Sequence, residues 1–318
     1  MVTAQGVLDR CTIDLLGLPT ELAADEPRAA HALASVLGAA RLADAQPSVR
    51  VRACSSAPAV PAAPPTSSTP EFETWRPVRG ELVLRHRSGL TARATSTAID
   101  IGGNAVHFDA SFRRTLLSAL AHLLSQHDRS VVHGAAIATD GRAVLVLGGT
   151  GSGKSTLAVC ALRAGWDVLA DDLVALRGSS SSTMIGGVPR PLAVPSDVLD
   201  DDPFDTQPIA DDQRGRRELP PNVVASGWYP LVGAIVVDHA REARGAVERI
   251  DSHALLHDLL GSWAPLEDPR DVRQVLPLAS AVARSPAAVV RLGRDPATRA
   301  ADAAASLEEV RSRFGLLA

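Results

Sequence analysis

Lysine is almost missing from this chain of 318 residues: of 32 basic residues, all but Lys154 are arginine. GC-rich coding replaces lysine wherever arginine will serve. The exception therefore marks a place where a compact ammonium on a thin stem is needed and a planar guanidinium fork will not do. Aromatic residues make up only 3%, so the core has to be aliphatic and alanine-rich, and the composition argues against an aromatic base-stacking surface. Basic excess is also lacking. A net charge of −4 and a sequence pI of 6.1 argue against bulk nucleic-acid binding. The cysteines, Cys11, Cys54 and Cys160, are odd in number and scattered, which suggests neither a disulfide framework nor a zinc cluster. No apolar run approaches the roughly 18 residues of a membrane helix, and the opening MVTAQGVLDR has no apolar stretch of the secretory kind. These absences predict a soluble, cytoplasmic protein with no membrane and no nucleic-acid partner.

What is present is 46% hydrophobic and 21% charged, enough for a sizeable core, and the length suits two modest domains. The first, over 1–128, reads as a small α+β domain interrupted by SSAPAVPAAPPTSSTP at 55–70. Its prolines, Ser, Thr and Ala leave little to bury, so an extended, flexible segment is expected. Before it, CTIDLLGLP and PSVRVRA read as strands, with an alanine-rich helix over 27–42 between them. After it, ELVLRHRS, LTARATSTAIDI and NAVHFD read as strands of an antiparallel sheet. Asp109 then caps a helix whose apolar stripe is Phe112, Leu116, Leu120, Leu123 and Leu124.

From Ser130 the pattern becomes that of an α/β nucleotide-binding domain over 129–318. VVHGAAIA and RAVLVLG read as two apolar strands joined by the hairpin signal Asp140-Gly141. A glycine-rich stretch and a helix over 153–164 follow, then the short strand WDVLA and the extended LVALR. VGAIVVDH and GAVERID read as a further strand pair. Residues 252–263, 269–284 and 296–314 read as helices, the last behind Asp295, and AAVVRLG reads as the closing strand.

Gly148-Gly149-Thr150-Gly151-Ser152-Gly153-Lys154-Ser155 matches G-x-x-x-x-G-K-[ST] in full, between a predicted strand and a predicted helix. Glycines let backbone N–H groups converge on phosphate, and the helix N-terminus adds the positive end of its dipole. Lys154 would reach the β/γ-phosphates and Ser155 would offer a hydroxyl to Mg²⁺; Thr156 completes the predicted nucleotide-binding set. Asp171 and Asp172 stand at the end of the next strand, where a Mg²⁺ site wants a carboxylate and transfer to a hydroxyl wants a base. The plain alternative is an Asx turn. Adjacent strand residues face opposite ways, so only one of the two meets the phosphates unless a turn intervenes. His133 lies near this motif in sequence; a lone histidine on an apolar strand is more often a satisfied core residue. His253 and His257 have the spacing of a metal pair but no third ligand, and Cys160 reads as a small core side chain. The stretch 197–221, with Arg214, Arg216 and Arg217, reads as a solvated loop or as a lid that brings arginines to phosphate or to an acidic partner.

The run VVHGAAIATDGRAVLVLGGTGSGKSTLAVCALRAGWDVLADDLVALR, residues 131–177, resembles the catalytic core of the HPr kinase/phosphorylase family, with a fainter likeness over GGVPRPLAVP and GAIVVDH. The resemblance implies an α/β P-loop kinase domain of the HPr-kinase/PEP-carboxykinase type, following the small α+β domain, and an ATP- and Mg²⁺-dependent serine kinase. Asp171 would then take the proton from the acceptor hydroxyl and Asp172 would support it or the metal. Ser155 would bind Mg²⁺, and His133 would sit beside the phosphates as a fourth catalytic residue with Lys154. The chain looks closest to the shorter HPr-kinase-like proteins of peptide natural-product pathways, which implies a Ser or Thr hydroxyl on a peptide, small protein or small molecule as acceptor. A nucleotide-switched binding protein and a nucleotidyl transferase remain the alternatives, and a homo-oligomer is allowed for.

Overall fold

The computed structural model describes residues 10–37, 42, 45–104, 110–179, 182–196, 207–208, 215–219, 223–239, 246–263, 269–293 and 296–316. They divide into two compact units, Met1–Arg129 and Ser130–Ala318.

The first unit carries β1 (Cys11–Asp14), β2 (Pro19–Ala24), α1 (Pro27–Val36), β3 (Val49–Cys54), β4 (Ser67–Ser68), β5 (Phe72–Trp75), β6 (Leu82–His86), β7 (Thr91–Ala94), β8 (Ala98–Gly102) and α2 (Ala110–Ser125). Its eight strands form one sheet in the order β1-β2-β3-β8-β7-β6-β5-β4, with β3 parallel to both neighbours. Alternation in β3 explains its two faces. Val49, Val51 and Ala53 point into the core, while Arg50 and Arg52 point out to Glu21 and Asp100, at 3.2 and 2.8 Å. All five apolar stripe residues of α2 are buried, and the helix packs on β6, β7 and β8.

The structure departs from the sequence pattern at several elements. PTELAA forms β2 although it carries no β-branched run that would predict a strand. The helix expected over 27–42 stops at Val36, where Leu37 N–H closes the last turn on Leu33 O at 2.8 Å. LTARATSTAIDI is two strands, since Thr95 Oγ1 accepts the N–H groups of Thr97 and Ala98 and folds the chain back. The Asp109 cap and most of NAVHFD lie outside the described residues. Residues 55–70, read from the sequence as a flexible segment, take part in hydrogen bonds along their second half. Trp75 Nε1 donates to Ala63 O at 2.8 Å, Thr66 N–H to Thr74 O at 2.7 Å, and Arg76 N–H to Thr66 Oγ1 at 3.2 Å.

The second unit comprises β9 (Ser130–His133), β10 (Ala135–Thr139), β11 (Arg142–Leu147), α3 (Lys154–Arg163), β12 (Asp167–Ala170), β13 (Leu173–Ser179), β14 (Ser182–Gly187), β15 (Leu192–Pro195), β16 (Gln207–Pro208), β17 (Arg216–Leu219), β18 (Tyr229–His239), β19 (Ala246–Arg249), α4 (Ser252–Ser262), α5 (Pro269–Arg284), β20 (Ala287–Leu292) and α6 (Pro296–Arg313). A mixed sheet runs β12-β10-β11-β18-β14-β13-β9, and β20 joins β18 and carries β19 on its other edge. β15, β17 and β16 make a small separate sheet. Alternation along β11 sorts the core into two layers. Val144 and Val146 pack with Leu157, Val159, Leu307 and Val310 of α3 and α6. Leu145 and Leu147 pack with Leu255, Leu259 and Val282 of α4 and α5.

The β10–β11 hairpin has the expected two-residue turn. Thr139 pairs with Arg142, and both turn residues are left-handed, Asp140 at φ 52° and Gly141 at φ 71°. The single strand read over 131–138 is broken at Gly134: β9 pairs with β13, and β10 with β11 and β12. A Cβ at Gly134 would lie 2.8 Å from Val146 O, so the crossing admits glycine only. VGAIVVDH and GAVERID are not partners. β20 lies between them, parallel to β18 and antiparallel to β19, because α4 and α5 provide the long crossover that parallel pairing requires. Asp251 caps α4 by accepting from His253 and Ala254 N–H at 2.8 and 2.9 Å, which holds its carboxyl below the usual range. The Asp295 cap falls outside the described residues.

Candidate functional site

β11 ends at Leu147, and the chain turns through the glycine-rich stretch into α3. Gly148, Gly151 and Gly153 have φ of 140°, 80° and 107°, all in territory that side chains avoid. Two of these are also tight. A Cβ at Gly148 would come 2.5 Å from Val237 O and 2.6 Å from Ser152 Oγ, and one at Gly153 would meet Leu292 Cδ1 at 2.8 Å. The loop therefore sits directly on β18 and β20. No side chain caps the N-terminus of α3, and the buried Ser152 Oγ has no hydrogen-bond partner.

Lys154 is only 7% exposed. Its Nζ donates to Gly148 O at 2.7 Å and Gly149 O at 3.1 Å, so the ammonium is folded back over the loop's own carbonyls. Burial pushes its pKa below the ordinary 10.5, and the negative charges of Asp172 and Asp171 pull in the opposite direction. Ser155 is half-buried, and Thr156 faces the core.

Asp171 and Asp172 occupy the bend between β12 and β13, and their side chains part company there. Asp171 is buried, and its Oδ2 accepts the Ala193 N–H of β15 at 2.9 Å. Asp172 is half-exposed and is gripped at both oxygens. Oδ1 lies 2.9 Å from His133 Nδ1, and Oδ2 accepts from Arg190 Nη1 at 2.6 Å. Strand register explains the histidine: His133 pairs with Leu173, and Gly134 N–H donates to Asp172 O at 3.0 Å. The ring is half-exposed at the end of β9, so His133 is not a buried core histidine.

The predicted residues Lys154, Asp171, Asp172 and His133 thus form one electrostatic neighbourhood. Arg190 belongs to it and was missed. It is 5% exposed, with a buried Nε that has no hydrogen-bond partner. The signal lay in GGVPRPLAVP, where Pro189 and Pro191 stiffen the chain around the arginine. In a chain so rich in arginine, one more attracts no notice. Arg216 and Arg217 are not loop residues: they lie in β17 against Pro195 and Val194. Arg214 falls outside the described residues. His257 approaches only Asp258, at 3.7 Å, and among the described residues no cluster of His, Cys, Asp and Glu is composed to hold a metal by itself. Mg²⁺ rarely needs such a cage; it is commonly held by one or two carboxylates together with substrate phosphates.

Fold and site define a mixed α/β protein with a glycine-rich strand-to-helix loop whose lysine feels the charge of two carboxylates. No protein-family model and no curated protein matches the chain. Among solved structures it is similar to the Hpr(Ser) kinase/phosphatase from Coxiella burnetii, at 11% identity, covering 57% of this chain and 97% of that one, with a TM-score of 0.29. A likeness this slight leaves the argument to the site itself. No helix among the described residues is long and apolar enough to cross a membrane.

Proposed function

We propose that the chain is an HPr-kinase-like phosphotransferase, using ATP and Mg²⁺ to phosphorylate a Ser or Thr hydroxyl on a peptide, small protein or small molecule. One observation carries the reading. The only lysine is buried at the start of α3, beneath a loop of left-handed glycines, within the field of Asp171 and Asp172. The residues fit a polyphosphate: uncapped N–H groups of the first turn of α3, the partnerless Ser152 hydroxyl and an ammonium bound only to backbone carbonyls in the loop.

In this reading the loop N–H groups bind the β- and γ-phosphates. Lys154 exchanges the carbonyls of Gly148 and Gly149 for phosphate oxygens. Ser155 and Asp172 would hold Mg²⁺, which supplies charge neutralisation as the leaving oxygen becomes negative. Asp171 accepts the hydroxyl proton while the acceptor oxygen bonds to the γ-phosphorus and the β–γ bridging bond breaks toward ADP. His133, half-exposed and 2.9 Å from Asp172, would sit beside the phosphates.

The test is incubation with γ-labelled ATP, Mg²⁺ and a panel of Ser- or Thr-containing peptides and small hydroxyl compounds. Label on an acceptor is expected, and none should appear with α-labelled ATP. Release of inorganic phosphate alone would leave a nucleotide switch, and α-label on the acceptor would make the protein a nucleotidyl transferase.

A further inference from the structure

We infer that Arg190 is a positioning residue that fixes Asp172, an assignment that rests on the phosphotransferase reading for its kinetic consequences only. The guanidinium is buried, comes from the Pro189-Arg190-Pro191 turn between β14 and β15, and meets one oxygen of Asp172 at 2.6 Å. The proline that follows confines Arg190 to extended backbone, and both prolines restrict their own φ, so the side chain is launched from a stiff base. On the opposite oxygen stands His133 at 2.9 Å. A carboxylate held at both ends by groups from two different elements cannot rotate about its terminal torsion without breaking one of the two contacts.

The guanidinium is committed to this contact, and its Nε is buried without a hydrogen-bond acceptor. The same placement sets a positive charge behind Asp172, on the carboxylate that acts more strongly of the two on Lys154. Arg190 thereby offsets one negative charge in a site meant for a polyanion. Asp171 is fixed separately, by the Ala193 backbone.

Three measurements test this. Ring ¹⁵N shifts of His133 in the nucleotide-free protein should move in Arg190→Lys and Arg190→Gln, as Asp172 is released; unchanged shifts in both folded variants overturn the inference, whatever the protein catalyses. In transfer assays Arg190→Gln should lower kcat about 10–100-fold, the usual effect of misplacing a reacting group by about an ångström. The KM for ATP should stay within a few-fold, and Arg190→Lys should recover part of the loss. Adding Arg190→Gln to Asp172→Asn should cost almost nothing more in kcat, because the arginine acts only through that carboxylate; fully additive losses overturn the inference. Wild-type protein that phosphorylates nothing defeats the phosphotransferase reading while leaving the histidine shifts to decide the clamp. If Arg190→Gln fails to fold, the Arg190→Lys shifts and its kcat-to-KM split decide alone.

Discussion

The backbone N–H of Ala193 donates to Asp171 Oδ2 at 2.9 Å, joining the edge of the small β15-β17-β16 sheet to the first carboxylate of the candidate site. Asp171 is therefore positioned by main chain, and a change of side chain at 193 leaves the contact in place. Asp171→Asn keeps the shape and loses the proton acceptor. Transfer should fall by roughly 10²–10⁴, the usual worth of a general base, with nucleotide affinity within a few-fold by titration calorimetry. Near-normal transfer would move the role elsewhere.

Lys154→Arg keeps the charge in a space that is nearly closed. Phosphoryl transfer should be lost almost as fully as in Lys154→Ala, because a guanidinium cannot reproduce a point charge between two carbonyls 2.7 and 3.1 Å away. Labelled-acceptor assays check it. An arginine variant retaining a tenth of the rate, a loss of only about 1.4 kcal/mol, would contradict the assignment.

The depressed pKa of Lys154 gives a signed pH effect. Between that lowered value and the ordinary 10.5, the unfolded chain binds more protons at this site than the folded one, so this group's contribution to stability grows as pH rises through the window. Lys154→Met removes the proton. The stability difference between wild type and Lys154→Met in the nucleotide-free protein, from urea melts at a series of alkaline pH values, should shift in favour of wild type. Nucleotide affinity should fall over the same interval, since phosphate needs the charged form.

Gly148→Ala should destabilise the protein and block nucleotide binding together. The new methyl meets Val237 O at 2.5 Å at a φ of 140°, a strained state costing about 1–3 kcal/mol. Gly149→Ala, where nothing lies within 4 Å of the added atom, is the control and should leave Tm close to wild type.

Excising most of 57–65 should lower Tm measurably, because it removes the Ala63 carbonyl that accepts from Trp75 Nε1. Trp75→Phe removes that bond together with part of a buried ring, and should cost at least the bond's own contribution of about 0.5–1.5 kcal/mol. An unchanged melt in both would return the segment to the status of a loose tether.

The site was legible in the sequence to the extent that its chemistry is local. Consensus glycines, a lone lysine and paired aspartates can be read in one line, and so can the Asp140-Gly141 turn and the stripe of α2. What stayed hidden depended on register or crossing. Gly134 looks like one residue of a strand until Val146 O is seen 2.8 Å from where its Cβ would be. β19 looks like the partner of β18 until a crossover inserts β20. Arg190 announces itself only through Asp172, distant from it in sequence. Periodicity carries no information about such pairings, which are decided by tertiary packing.

The seating of the glycine loop against Val237 and Leu292 carries a consequence for how the protein acquires function. The consensus residues are contiguous, but the supports that shape them belong to strands completed much later in the chain. Closing such contacts is a slow, entropically expensive step that follows local structure formation. A nascent or truncated chain ending after β14 would display the whole signature and still have no shaped cradle. Nucleotide capture is therefore expected to report completion of β18 and β20, making ligand binding a late readout of correct assembly and not an early property of the loop.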